Sequence, residues 1–344
     1  MKEISRPVVS HRSQEFREIL SDVVEGLTRI FGLDSGNIAV LAGSGTTAVD
    51  AMIWSLVSPG DEILALVHGE FGRRAVASAE MRGAKVEVLE APLGKVVDPE
   101  LVKERIEEGE YTHLLLVHNE TSTGVAYRQL ARVAEAAKDR GMLVLVDAVS
   151  GLGGEELHMS RWHLDAVASC SHKALASPPG VSFVALSDEA VNGLRGELPP
   201  ILDLRRYVDF YAGRKETPFT PAVNNLYALR RALELIINMG IDAYVELHRR
   251  KASLLYRELP RLGLPPLPDE PVRSNTVTVF RTGDMNAKEV VSLLLERGFR
   301  IASGMKDSAK HLIRIGTMGN TSLEDLRELI DLLSEVIEEL SRTR

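Results

Sequence analysis

Seven short apolar runs separated by helical stretches constrain this chain more than any other feature. The runs cover 38–41, 62–67, 85–89, 112–117, 142–146, 165–169 and 181–186. Each has the length of a β-strand, and several are apolar at successive positions, such as Ile63-Leu64-Ala65-Leu66-Val67. A strand apolar on both faces belongs in a sheet covered by helices on both sides. Helical patterns at 47–56, 73–81, 99–107 and 130–140 supply that cover. The expectation is an α/β fold with a mainly parallel seven-stranded sheet.

The second half continues differently. A polar, proline-containing stretch at 213–221 precedes a long helical region at 225–259, then the linker Leu262-Gly263-Leu264-Pro265-Pro266-Leu267-Pro268. Beyond it come strand patterns at 276–280, 299–302 and 311–315 and a helix at 287–297. A capping box from Thr321 to Glu324 opens the last helix, whose apolar face carries Leu326, Leu329, Ile330, Leu333, Ile337 and Leu340. These patterns divide the 344 residues into a large domain, 12–255, and a smaller C-terminal α/β domain, 256–344. The segment 1–11 is expected to pack on the smaller one.

A net charge of −8 argues against non-specific nucleic-acid binding. Cys170 is the only cysteine, so no intrachain disulfide, zinc cluster or Cys-x-x-Cys pair can form. The first residues lack the apolar core of a signal peptide, and no run is long enough to span a bilayer. A cytoplasmic location is the expectation, with no membrane, nucleic-acid or metal partner.

Five polar motifs follow strands of the first half. Asp147 ends one run, and Lys173 closes Ser171-His172-Lys173 after another. In a parallel sheet both point into the crevice outside the carboxyl ends of the strands. A lysine amine and a carboxylate there are what pyridoxal phosphate requires, the first to form a Schiff base and the second to hold the pyridine nitrogen protonated. Gly43-Ser44-Gly45-Thr46-Thr47 precedes a helix and suits a phosphate, whose oxygens accept from free helix N–H groups. An ordinary turn with Thr46 as N-cap fits it too. Phe71, in Gly69-Glu70-Phe71-Gly72-Arg73-Arg74, can stack on a planar ring or sit in the core. His118-Asn119-Glu120-Thr121-Ser122-Thr123-Gly124 offers side-chain ligand contacts or a capped turn. All five lie on one sheet edge, which favours the ligand reading.

Together these motifs resemble the class V aminotransferases, fold-type I pyridoxal phosphate enzymes, and among them the alanine–glyoxylate and serine–pyruvate group. The likeness runs from about His11 to the C-terminus. It implies that Lys173 carries the cofactor and shuttles the Cα proton, and that Asp147 is the acid on the pyridine nitrogen. Phe71 and Val149 would cover the two ring faces. Ser44, Gly45, Thr46 and His172 would hold the phosphate, and Thr121 would lie near O3′. Thr217 and Thr220 match a segment that reaches the neighbouring subunit's phosphate, which implies a homodimer with shared active sites. Arg314, in Leu312-Ile313-Arg314-Ile315-Gly316, matches the arginine that grips the substrate carboxylate. Members of the group usually begin with a Pro-Gly-Pro segment beside the substrate pocket; here Arg6-Pro7-Val8 is the nearest substitute.

The implied reaction moves an amino group from alanine or serine to glyoxylate or pyruvate. One carboxylate-binding arginine suits a small monocarboxylate. A 2-aminoethylphosphonate–pyruvate transaminase and an aspartate aminotransferase of the same class are the alternatives. Cysteine desulfurase shares the fold but needs a nucleophilic cysteine on a mobile loop, and Cys170 lies within the strand before Lys173. A non-catalytic binding protein on this fold would have no use for both Lys173 and Asp147.

Overall fold

The computed structural model describes residues 2–34 and 37–342. Among these, seven strands form one sheet: β1 (Asn37–Gly43), β2 (Glu62–Val67), β3 (Lys85–Glu90), β4 (His113–Val117), β5 (Leu143–Asp147), β6 (Ala166–Cys170) and β7 (Gly180–Leu186). Their order is β1-β7-β6-β5-β4-β2-β3. Only β7 runs against the rest, pairing antiparallel with both β1 and β6. The other six therefore present their carboxyl ends along one edge.

Alternation along the strands explains the double-sided cover. On β2, Leu64 and Leu66 face one apolar layer, while Ile63, Ala65 and Val67 face another. The first layer includes Phe16, Ile19, Leu20, Val23 and Leu27 of α1 (Gln14–Phe31). The second includes Ala48, Met52 and Ile53 of α2 (Gly45–Leu56) and Ala75 and Ala79 of α3 (Glu70–Met81). β3, at the edge, carries charges at Lys85, Glu87 and Glu90 and leaves four of its six residues exposed, which discourages pairing with another chain.

A separate apolar cluster runs from Leu254 to Leu340. It is built on a three-stranded sheet of β8 (Val277–Arg281), β9 (Ala302–Ser303) and β10 (Leu312–Gly316), with β10 in the centre. The helices Ala287–Glu296 and Leu323–Arg342 cover it. Buried Glu155 ties this unit to the large sheet. Its carboxylate accepts from the Asn275 backbone N–H at 2.5 Å, from Asn275 Nδ2 at 2.8 Å and from Arg128 at 3.1 Å.

Several elements differ from the sequence reading. No helix or strand is expected before residue 38, yet α1 starts at a Ser13 cap whose side chain accepts from the Phe16 N–H. The helical region 225–259 is two helices, Val223–Met239 and Ile241–Glu258, broken at Gly240 with φ +92°, a backbone state that favours glycine. The strand expected at 299–302 shrinks to Ala302–Ser303, the two residues that find partners on β10. The last helix is capped one residue later than expected. Ser322 Oγ accepts from Asp325 N–H, and Asp325 accepts from Ser322 N–H. Among the described residues of the N-terminal segment, Ile4 and Arg6 contact the large unit. Asn224 donates to the carbonyls of Ile4 and Arg6, and the Arg6 guanidinium lies 4.5 Å from the Tyr227 ring centre. A cation over a ring and two satisfied carbonyls hold it to the helix Val223–Met239.

Phe183 of β7 is fully buried and meets Phe31 of α1 edge to face at 5.9 Å. Phe183→Ala is expected to lower stability by about 3–5 kcal/mol through lost burial and a residual cavity. Chemical denaturation measures this; a loss below about 1 kcal/mol would mean that α1 does not depend on that contact.

Candidate active site

A cavity of about 160 Å³ opens at the carboxyl edge of the sheet. Ser44, Gly45, Thr46, Phe71, Thr121, Asp147, Val149, His172 and Lys173 all line it, joined by Val117, Asn119 and Ser150. The strands deliver these groups because each polar motif begins where a parallel strand ends.

Lys173 sits in a tight turn after β6. Ser171 N–H donates to Val181 O at 3.0 Å, Ser171 Oγ to Pro178 O at 2.6 Å, and Ala176 N–H to Lys173 O at 3.0 Å. The backbone is thus fixed while the amine makes no hydrogen bond or ion pair among the described residues. Asp147, at the end of β5, is buried and accepts from the Val149 N–H at 2.8 Å. Burial pushes its carboxyl up to about 7, and the charge of Glu120 adds to this; the Val149 N–H and Lys173 oppose it. An acid with that cost is relieved by a cationic N–H partner.

At the first turn of α2, Thr47 Oγ1 accepts from the Ser44 N–H at 3.2 Å. The capping therefore falls to Ser44 and Thr47 rather than to Thr46. Gly45 has no room for a side chain, since a Cβ there would lie 2.7 Å from Val149 Cγ1. The first-turn N–H groups of a helix have no intrahelical partner, and here they border the cavity. His172 is lowered from its ordinary range by burial and then by the charge of Lys173, and its Nδ1 is buried without a partner.

Arg314 approaches from β10. Its Nε donates to Ser303 O at 2.9 Å and its Nη1 to Thr121 O at 3.3 Å, which sets it beside the cavity wall. Burial pushes the guanidinium down, and the charge of Glu120 raises it. Thr121 Oγ1 donates to Ser150 Oγ at 2.9 Å. Asn119 Nδ2 donates to Ser150 Oγ at 2.8 Å and to Thr276 Oγ1 at 2.9 Å, linking the cavity floor to the C-terminal unit. From sequence, Asn119 is only one of several ligand-contact candidates in its motif, and Ser150, three residues after Asp147, has no assigned role. Their position in two strand-end motifs was the available signal.

Thr217 and Thr220 do not line the cavity. Thr217 Oγ1 donates to Phe219 O at 2.7 Å, and Thr220 is exposed. Arg6-Pro7-Val8 also lies outside the cavity wall. The described helices include none long and apolar enough to cross a membrane.

The sequence pattern of the family described as Aminotransferase class-V matches residues 3–329. An uncharacterised aminotransferase of Methanocaldococcus jannaschii is 33% identical over 319 residues, which span 91% of this chain and 82% of that protein. Among solved structures, an alanine–glyoxylate aminotransferase from Nostoc sp. superposes with a TM-score of 0.93 at 30% identity, covering 98% of this chain and 91% of the other. The aspartate aminotransferase of subgroup IV from Thermus thermophilus superposes with a TM-score of 0.91 at 32% identity, covering 98% and 95%.

The raised Asp147 carboxyl gives a pH-dependent test on cofactor-free protein. Between its ordinary value of 3.8 and about 7, the folded state holds a proton that the unfolded state has released. Stability contributed at this position therefore falls as pH rises through that window. Asp147→Asn keeps the acceptor for Val149 and removes the buried charge. Its melting temperature should match the wild type near pH 4, exceed it increasingly towards pH 7 and then level off. A constant difference across that range would place the titration elsewhere.

Proposed function

The chain belongs to the class-V aminotransferases, enzymes that use pyridoxal phosphate, and from that premise we propose that it moves an amino group from a small amino acid, alanine or serine, to glyoxylate or pyruvate. The observation that carries this reading is the convergence of groups in one cavity at the carboxyl edge of the sheet. That cavity gathers an unpaired amine, a buried acid, an aromatic side chain and a helix N-terminus, with one guanidinium at its wall.

These residues fit the cofactor. Ser44, the N–H groups of Gly45 and Thr46, and the orphaned nitrogen of His172 would hold its phosphate. Asp147 would take the ring N–H, Phe71 and Val149 the two ring faces, and Thr121 the O3′ side. Bound there, pyridoxal phosphate supplies an electron-withdrawing ring conjugated to the substrate nitrogen. The unpaired Lys173 Nζ then takes the proton from the substrate Cα and later returns it. Arg314 binds the substrate carboxylate and so orients the Cα–H bond.

One guanidinium beside the cavity, that of Arg314, supports a monocarboxylate. The likeness to the Thermus thermophilus aspartate aminotransferase supports aspartate as a second reading for the donor. A panel of alanine, serine, aspartate and 2-aminoethylphosphonate against glyoxylate and pyruvate separates them. Fastest turnover with alanine or serine is expected; fastest turnover with aspartate or the phosphonate overturns the assignment.

We also propose the division into 12–255 and 256–344, which the separate apolar cores support except that Leu254 and Leu255, at the end of the first part, pack in the second core. A cytoplasmic location and a homodimer are proposed with it. The homodimer alone has support here, in the Thr217–Thr220 segment, which lies outside the chain's own cavity and ends at exposed Thr220.

Lys173→Ala is expected to abolish turnover and the visible absorbance of lysine-bound cofactor, with an unchanged circular dichroism spectrum. Retained turnover would remove Lys173 from the chemistry. Arg314→Ala is expected to cost about 1.5–3 kcal/mol in kcat/KM for every carboxylate substrate, with cofactor affinity changed far less. Equal losses in both measurements would make Arg314 a structural residue.

A further inference from the structure

Glu120 is fully buried at the edge of the cavity, yet it does not line it. Its carboxylate is surrounded by donors. Oε2 accepts from the backbone N–H of Phe71 and of Gly72, each at 3.1 Å. Oε1 accepts from the Ser122 N–H at 3.0 Å and from the Ser122 hydroxyl. The Ser122 oxygen in turn accepts from the Glu70 N–H at 3.0 Å. Three N–H groups of the first turn of α3 are thereby held, two by Glu120 and one through Ser122. A negative group at a helix N-terminus is stabilising there, because it meets both the free N–H groups and the positive end of the helix dipole.

Two site elements hang on this one carboxylate. On one side, the Phe71 backbone is fixed, so the ring has a set position in the cavity wall. On the other, the loop from Glu120 to Ser122 is closed, and its middle residue, Thr121, offers the carbonyl that receives Arg314 Nη1.

We propose that Glu120 is a positioning residue that couples the two halves of the site, fixing Phe71 for the cofactor ring and Thr121 for the arginine that binds substrate. The proposal deepens the aminotransferase reading and rests on it. A neutral amide cannot replace the carboxylate, although it has the same shape. Glutamine would turn an NH₂ group towards N–H donors at one of the two ends.

The test compares wild type with Glu120→Gln, Glu120→Ala and Ser122→Ala, at a temperature where each is folded by circular dichroism. Hydrogen exchange is followed in cofactor-free protein for the peptide that contains residues 70–73. Pyridoxal phosphate affinity is then titrated, and KM is separated from kcat. In both Glu120 variants, exchange of the Phe71 and Gly72 amides is expected to accelerate about tenfold or more, from the loss of two charge-assisted hydrogen bonds. The cofactor dissociation constant and the substrate KM should each rise about tenfold, with kcat at saturation reduced less. Ser122→Ala should fall between these and wild type. Unchanged exchange in Glu120→Gln, or a lower melting temperature with cofactor affinity and KM both unchanged, overturns the proposal and leaves Glu120 a stability residue. Wild type that fails to bind the cofactor overturns the aminotransferase reading instead, and with it the coupling role, whatever the exchange data show.

Discussion

Six strands running the same way, covered on both faces by apolar helices, leave this protein one place for polar chemistry. The faces of β2, β4 and β5 are buried against the two apolar layers. A charged side chain within them would lose its water without gaining a partner. The carboxyl edge differs because each strand there ends in a turn or a helix start with unpaired backbone groups. Lys173, Asp147, Phe71 and the Ser44 turn meet at that edge although they stand at the ends of four different strands. The chemistry of the site follows from the direction of the strands.

The edge alone does not complete the cavity. The C-terminal unit supplies Arg314 from the middle strand of its own sheet, and its placement depends on buried polar contacts rather than on a continuous apolar seam. Glu155 holds Asn275, and Asn119 and Ser150 hold Thr276. Burial raises the Glu155 carboxyl to about 7, with Arg128 and the Asn275 N–H pulling it back. Buried bonds of this kind are costly to break, because each broken one leaves a further polar group unpaired beside Asn119 Oδ1, which already has no partner. Through Thr121 the large unit also holds Arg314.

Much of this was legible in the sequence because it is local. Strand ends are read from apolar runs, and β2 was read to the residue. Asp147 and Lys173 stand at the ends of such runs, so their convergence required only that the strands be parallel. What escaped depended on distant partners. The role of Glu120 comes from amides about fifty positions upstream in α3, and nothing in its own motif indicates them. Asn119 and Ser150 gain meaning only when Thr276 arrives from the other unit. The strand at 299–302 had the composition of a strand but a partner for only its last residue and the one beyond. The segment 1–11 carries no periodicity, and its docking on Tyr227 and Asn224 is set by single contacts. By contrast, α1 has an apolar face legible from sequence at Phe16, Ile19, Leu20, Val23, Val24 and Leu27.

The central claim is that the unpaired amine at the end of β6 is the group that carries the cofactor. Borohydride reduction of the protein with pyridoxal phosphate, followed by proteolysis and mass mapping of the pyridoxyl label, tests it most directly. A single label on the peptide that holds Lys173 is the result this account predicts. A label distributed over surface lysines, or no label while the protein is folded, would contradict it.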